Sequence, residues 1–245
     1  MKRFLARWWG PCLLLLVWQV GVQASGVNQI VMPHPMAVLM DMASNPLVYG
    51  RAAAGTLLVA VPGLTAGLAM GGMLALLCQF SAVMEYLLTP LAMMLSSIPV
   101  VAIIPVLSRL FGYHMTTLII IVAIICFLPA FVYMHAGLRS VPAGSLDVFS
   151  VFGAGARARL LLLRLPASVP SCMTALRIAA PTAILASLTA EYLMQTGGLG
   201  ALFRITTAEF RSERAFGCSL VAMVLSVCCF FLALHAERAV TRRWR

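Results

Sequence analysis

The chain has 245 residues, of which 62% are hydrophobic and 10% charged. A soluble domain carries about 25% charged residues, so this composition excludes a water-solvated globule and points to an integral membrane protein. The formal charge of +10 does not build a nucleic-acid face, because the basic residues lie in separate short clusters between apolar runs, which membrane topology alone explains.

A spanning helix needs about 20 mostly apolar residues. Six runs meet or approach that, at about 8–24, 52–80, 90–112, 116–136, 170–194 and 215–235. They are apolar all round, unlike the alternating strands of an outer-membrane barrel. The expected fold is an all-α integral membrane protein with about six transmembrane helices, a five-helix core plus an N-terminal helix. Residues 1–31 form the N-terminal segment and first helix, and 32–245 the core.

The first run allows two readings. Lys2, Arg3 and Arg7 precede a short apolar core, and Val22-Gln23-Ala24 resembles a signal-peptidase site. An uncleaved first helix is the preferred reading; either way the following chain emerges on the outside. The second run carries Gly63, Gly67 and Gly71, four apart on one helix face. Such a groove admits another backbone and implies a helix bundle.

The third run, SIPVVAIIPVLSRLFG, contains Pro99, Pro105 and Arg109. Each proline removes a backbone hydrogen bond, and broken helices at membrane depth are tolerated where protein or a water-filled cavity covers them. A translocation path and ordinary kinks both remain open. Arg177 and Glu191 lie in the fifth run, where ionisable groups are costly and often functional. Arg109 and Glu191 have interfacial solvation as the competing account. The seven cysteines form no C-x-x-C pair and four histidines are scattered, so no metal centre or redox site is expected.

Counting positive charge orients the chain. With the N-terminus inside, the cytoplasmic segments hold eleven basic residues: Lys2, Arg3, Arg7, Arg139, Arg157, Arg159, Arg164, Arg238, Arg242, Arg243 and Arg245. The outside holds five, namely Arg51, Arg109, Arg204, Arg211 and Arg214. The bias places both termini and the long loop 137–169 in the cytoplasm. The loop around Glu85, also placed inside, has no basic residue to support it.

Within the long loop, GSLDVFSVFG reads as a short helix. Ser145 is the expected N-cap, and Asp147 suits the positive end of the helix dipole. Leu146, Phe149 and Phe152 recur every third residue on one apolar face. Gly153 and Gly155 should end this helix. A second short helix is expected over 156–165, with Pro166 punctuating it. Such apolar faces suit docking into a protein groove; a membrane-surface segment with arginines at headgroup level is the alternative.

This loop is similar to the EAA loop of ABC-importer permeases: E-A-A, three residues, Gly, then Pro at a set distance. Here the frame is Asp147-Val148-Phe149, Gly153 and Leu165-Pro166, with thirteen positions from glycine to proline. Residues 98–112 look like the family's IPP-x-A-x-x-P…FG segment, and Met32-Pro33-His34-Pro35 like the P-x-P after its first helix. ALRIA (175–179), AEYL (190–193) and GGLGALF (197–203) match the branch that carries nitrate, sulfonates and taurine. The likeness covers about residues 32–245. Departures are Asp147 for glutamate, Val148 and Phe149 for two alanines, Val100 for the second proline, Arg109 for an apolar residue, and Pro181.

The resemblance implies a type I importer permease in a bacterial inner membrane, working by alternating access. Two copies would line the path, a periplasmic solute-binding protein would deliver a small anion, and cytoplasmic ATPase subunits would dock on the loop. It implies that Asp147, Phe149, Gly153, Arg157, Leu165 and Pro166 belong to the coupling loop. Pro99, Pro105, Arg109, Arg177 and Glu191 are candidates for the pathway. A same-fold permease for another solute, such as a vitamin precursor or amino acid, is the alternative. An intramembrane enzyme is a weaker competitor, since Ser187 and His235 fall at opposite depths and no H-E-x-x-H is present. A P-loop needs G-x-x-x-x-G-K-[ST], and Lys2 is the one lysine. ATP and Mg therefore belong on a separate subunit, with no cofactor on this chain.

Overall fold

A chain in hydrocarbon must satisfy every backbone N–H and C=O internally, and helices do so within one segment. The computed structural model describes residues 2–26, 28 and 30–242, and among these the secondary structure is helical throughout. In chain order the elements are α1 (Lys2–Ser25), α2 (Pro35–Ser44), α3 (Pro46–Leu77), α4 (Ala82–Ser96), α5 (Val100–Phe111) and α6 (Met115–Arg139). Then come α7 (Ala143–Val151), α8 (Ala156–Arg159), a π turn (Leu160–Arg164), α9 (Leu165–Met194), α10 (Gly198–Ala208) and α11 (Ser212–Thr241).

Four of these are long and apolar enough to cross a membrane: α3, α6, the continuous rod Ala156–Met194, and α11. The expected third span is not one helix. Ala82–Leu95 and Val100–Phe111 are bent by 101° at a short break. Pro99 sits at the break as the N-cap of α5 with an extended ψ of 125°, a conformation that the residue before or at a helix start adopts readily. Counting the bent pair as one span gives five among the described residues, against the six expected. The first run does form α1, and among the described residues its stretch Leu15–Ala24 is a shorter apolar helix. It leans on the bundle through Trp18, which stacks on Phe216 of α11 at 5.7 Å.

α3 packs along α6, α6 along α9, and α9 along α11. The expected glycine groove is the first of these contacts. Gly63, Gly67 and Gly71 are buried, and a Cβ on Gly67 would lie 2.7 Å from the Ala123 carbonyl oxygen and 2.8 Å from Cys126 Cβ. No side chain fits there, so the helices approach backbone to backbone. Ile121, Val122 and Cys126 of α6 then meet Ala179, Ala183 and Ile184 of α9 in the central core, closed on one side by Ile104 of α5. The outer faces remain apolar: Leu58, Leu185 and Leu232 are each more than 60% exposed. Such a surface is at home in lipid rather than in water.

The bundle has two distinct ends. Residues 78–85 and 139–164 gather at one, here the loop end. Residues 30–45 and 195–212, with α2 and α10, gather at the other.

Candidate functional site

The loop end is built from the exit of α6. Ser140 closes that helix, its backbone N–H and its hydroxyl both donating to the Gly137 carbonyl. The next helix starts earlier than expected. Pro142, not Ser145, occupies the N-cap of α7, because a fixed φ near −60° already suits a helix entry. Ser145 lies within the first turn. At the other end the glycine does what the sequence predicts. Gly153 has φ +69°, its N–H donates to the Ser150 carbonyl, and the Ala154 N–H donates to Phe149 at 2.9 Å. Only glycine holds that conformation without strain.

α7 presents its apolar residues to the outside. Val151 and Phe152 are 86% and 84% exposed, Asp147 is exposed, and Leu146 and Phe149 are half-buried. Arg157 is exposed as well, whereas Arg159 turns back and donates from Nε to the Ala154 carbonyl at 2.8 Å. This bond closes the loop between α7 and α8.

Pro166 does not punctuate the chain. α8 runs through the π turn Leu160–Arg164 directly into α9. A proline at this point would clash with a carbonyl one α-turn back; the wider π turn relieves the clash and lets the helix continue. Leu165 packs on the buried cluster of Ala75, Phe131, Leu138 and Leu160. The coupling candidates therefore divide. Asp147, Phe149, Gly153 and Arg157 project beyond the bundle, while Leu165 and Pro166 belong to the first turn of a long span.

The loop end is tied down by polar contacts. Arg139 pairs with Glu85, and His135 Nε2 lies 3.6 Å from the same carboxylate. Arg164 donates to the Gln79 side-chain oxygen at 2.5 Å. Glu85 thus lies at the same end of the bundle as the basic residues of the long loop.

The pathway candidates do not form one cluster. Pro99 and Pro105 lie exposed at and beyond the bend, and Arg109 is exposed near the end of α5. Arg177 lies nearer the loop end, where its Nε is 3.3 Å from Glu237 of α11. Thr174 also donates to Glu237, at 3.4 Å. Glu191 is not at a solvated interface. It is 1% exposed and accepts from the Thr56 hydroxyl at 2.9 Å and the Gly200 N–H at 3.0 Å. The Leu199 N–H in turn donates to Thr56 at 2.9 Å. Gly197 and Gly198 both have positive φ, and a Cβ on Gly198 would collide with the Glu191 carboxylate. The carboxylate therefore caps α10 and joins it to α3 and α9.

Sequence reasoning missed a second polar knot at the opposite end. Asp41 of α2 accepts from Arg214 at 2.9 Å and from the Tyr49 hydroxyl at 2.6 Å. The Arg214 hydrogen bond holds Asp41 below its ordinary carboxylate range, against the opposing effect of burial. Asp41 and Arg214 are 173 positions apart, and no local spacing announces them. Among the described residues no group of three metal-ligating side chains converges.

Known proteins bear on this arrangement. Residues 63–245 match the family described as binding-protein-dependent transport system inner membrane component. A probable ABC transporter permease protein of Haemophilus influenzae is 30% identical over 219 residues, 89% of each chain. The formylaminopyrimidine transport permease protein ThiX of Halalkalibacterium halodurans is 27% identical, over 95% of this chain and 93% of its own. The putative aliphatic sulfonates transport permease protein SsuC of Bacillus subtilis is 24% identical, over 96% and 86%. The family match covers the glycine groove, the bent pair, the exposed α7, and Glu191 with Gly200, while Thr56 precedes it. The chain thus belongs to the binding-protein-dependent transport system inner membrane components, and it is a multi-pass permease subunit of an ABC importer rather than an enzyme.

Proposed function

We propose that this permease couples to a cytoplasmic ATPase through α7 and imports a small anion by alternating access. The observation that carries the reading is the exposure of Val151 and Phe152 on a short helix beyond the span ends, closed by Gly153. An apolar face in that position needs a protein groove. The excess of basic residues at the loop end supports a cytoplasmic loop and cytoplasmic termini, in a bacterial inner membrane. ATP and Mg are handled by the partner subunit, since the one lysine, Lys2, cannot furnish a P-loop.

Two copies of the chain enclose the pathway, and a periplasmic solute-binding protein delivers the solute. α5 supports an anion, because its single charged side chain is Arg109. The relative named for aliphatic sulfonates agrees with this reading. A second reading, import of a formylaminopyrimidine-like vitamin precursor, is favoured by the higher identity to ThiX.

The coupling is tested by co-purification with the ATPase before and after Gly153→Arg. Association should be lost in the variant; undiminished association counts against docking through α7. The solute is tested in proteoliposomes with the cognate binding protein. A sulfonate, nitrate or taurine should stimulate ATP hydrolysis, and stimulation by the pyrimidine alone would decide for the second reading.

A further inference from the structure

Two cavities lie at successive depths along α3, α4 and α6. The first, about 430 Å³, opens at the loop end and is lined by Gln79, Ser81, Glu85, Arg139, Leu146 and Arg164, among others. The second, about 340 Å³, is walled entirely by apolar side chains, including Leu74, Leu88, Leu91, Ala92, Phe127 and Phe131. Leu88 follows Glu85 by three residues on α4, and Leu74, near the end of α3, precedes Gln79 by five, so the groove begins about one helical turn deeper than the polar cavity. Along α3, α4 and α6 alike, the deeper cavity lies toward the middle of the bundle.

The charges in the polar cavity do not cancel. Glu85 neutralises Arg139, but Arg164 is held by the neutral Gln79 amide and keeps its full positive charge. The start of α4 also lines it through Ser81 and Ala82, with Ser81 accepting from the Met84 N–H, so the positive end of that helix dipole lies at the cavity. A basic pocket between transmembrane helices, on the cytoplasmic side, suits an anionic lipid headgroup. The dry groove beneath it suits an acyl chain.

We infer that these two cavities form one site for an anionic phospholipid of the inner leaflet, phosphate at Arg164 and the start of α4, acyl chain between α3, α4 and α6. The inference rests on the cytoplasmic orientation proposed above. A side chain from a second copy would fill the groove equally well, but it leaves Arg164 without an anion; the lipid satisfies both cavities at once. Arg139 ends α6 and Leu146 belongs to α7, so the bound headgroup braces the base of the coupling loop.

The test is a lipid titration of the delipidated full-length permease followed by native mass spectrometry. Phosphatidylglycerol and phosphatidylcholine of identical chains are compared, with sn-glycerol 1-phosphate as a chainless competitor. Phosphatidylglycerol should bind about tenfold more tightly, the scale of one charge-assisted contact. Arg164→Gln should remove that preference, Arg164→Lys should retain it, and Leu91→Trp, on the exposed wall of the groove, should weaken both lipids. Equal affinity for the two lipids, or no effect of Arg164→Gln and Leu91→Trp, overturns the site. Full competition by sn-glycerol 1-phosphate overturns it in favour of a soluble anion, and Leu91→Cys cross-linking between copies in favour of a dimer face. The titration uses the permease alone, so its failure is separable from a failure of the ATPase to dock on α7.

Discussion

Thr56 and Glu191 lie 135 positions apart and share one buried hydrogen bond of 2.9 Å. Through it α3, α9 and the start of α10 become a single unit at the end opposite the loop. The Gly200 N–H completes the contact on Glu191 Oε2, while Oε1 has no hydrogen-bond partner.

Replacing this carboxyl should separate its shape from its charge. Glu191→Gln keeps an oxygen for Thr56 and Gly200 and should lower stability by less than about 1 kcal/mol. Glu191→Ala strands both donors and should cost about 3 kcal/mol. Thr56→Val strands the Leu199 N–H and should cost about 1–2 kcal/mol, less than additively with Glu191→Ala. Thermal unfolding of the detergent-solubilised protein reads all three. Equal losses for Gln and Ala would refute the hydrogen-bond account.

The glycine groove makes a contrast within one helix. Gly67→Ala puts a Cβ against the Ala123 carbonyl and should destabilise by about 1–3 kcal/mol. Gly50→Ala meets nothing within 4 Å and should be neutral or stabilising by a few tenths of a kcal/mol, on the order of the helix-propensity gain. The same melting measurement decides.

Gly153 and Gly155 should behave differently although both face open space. Gly153→Ala must hold φ +69° and should cost about 1 kcal/mol. Gly155 has φ −67°, so Gly155→Ala should be silent. If melting temperatures of the two variants coincide, the backbone account of the α7 terminus is wrong.

Asp41 predicts an acid dependence. Its pKa is lowered by Arg214 in the folded state, so the pair contributes fully above the ordinary aspartate value of about 4. That contribution is lost as pH falls through the lowered value. Asp41→Asn should melt lower at neutral pH and lose less stability on acidification than the parent. Parallel pH profiles for the two proteins would remove Asp41 from the account.

The Arg177–Glu237 pair tests a charge within the bundle. Removing one partner, as in Glu237→Gln, should cost about 2 kcal/mol, because a partly buried charge is left without its counterpart. Replacing both, Arg177→Met with Glu237→Gln, should recover part of the loss. A double-mutant cycle on thermal stability measures the recovery; strict additivity would show that the pair is not coupled.

Several features were legible because they are local. Apolar runs of spanning length fixed the all-helical membrane class, since hydrocarbon permits little else. Gly63, Gly67 and Gly71 announced a close helix contact through their spacing. Gly153 announced the end of α7 because its left-handed backbone is a local demand. Proline was the less dependable signal. Pro166 passes through a π turn without ending its helix, whereas the break at Pro99 bends the expected third span by 101°. Ring geometry alone does not choose between these outcomes; the neighbouring turn does.

Membrane class and the glycine that ends α7 thus came from sequence, because each depends on composition or on a local backbone demand. The partners of Glu191, Arg177, Glu85 and Asp41 came only from the tertiary structure. Each lies on a different helix from its main counterpart, and helix rotation and depth decide which polar groups meet. Those quantities are set by packing across the whole bundle, through contacts such as Gly67 on Ala123, and no single segment contains them.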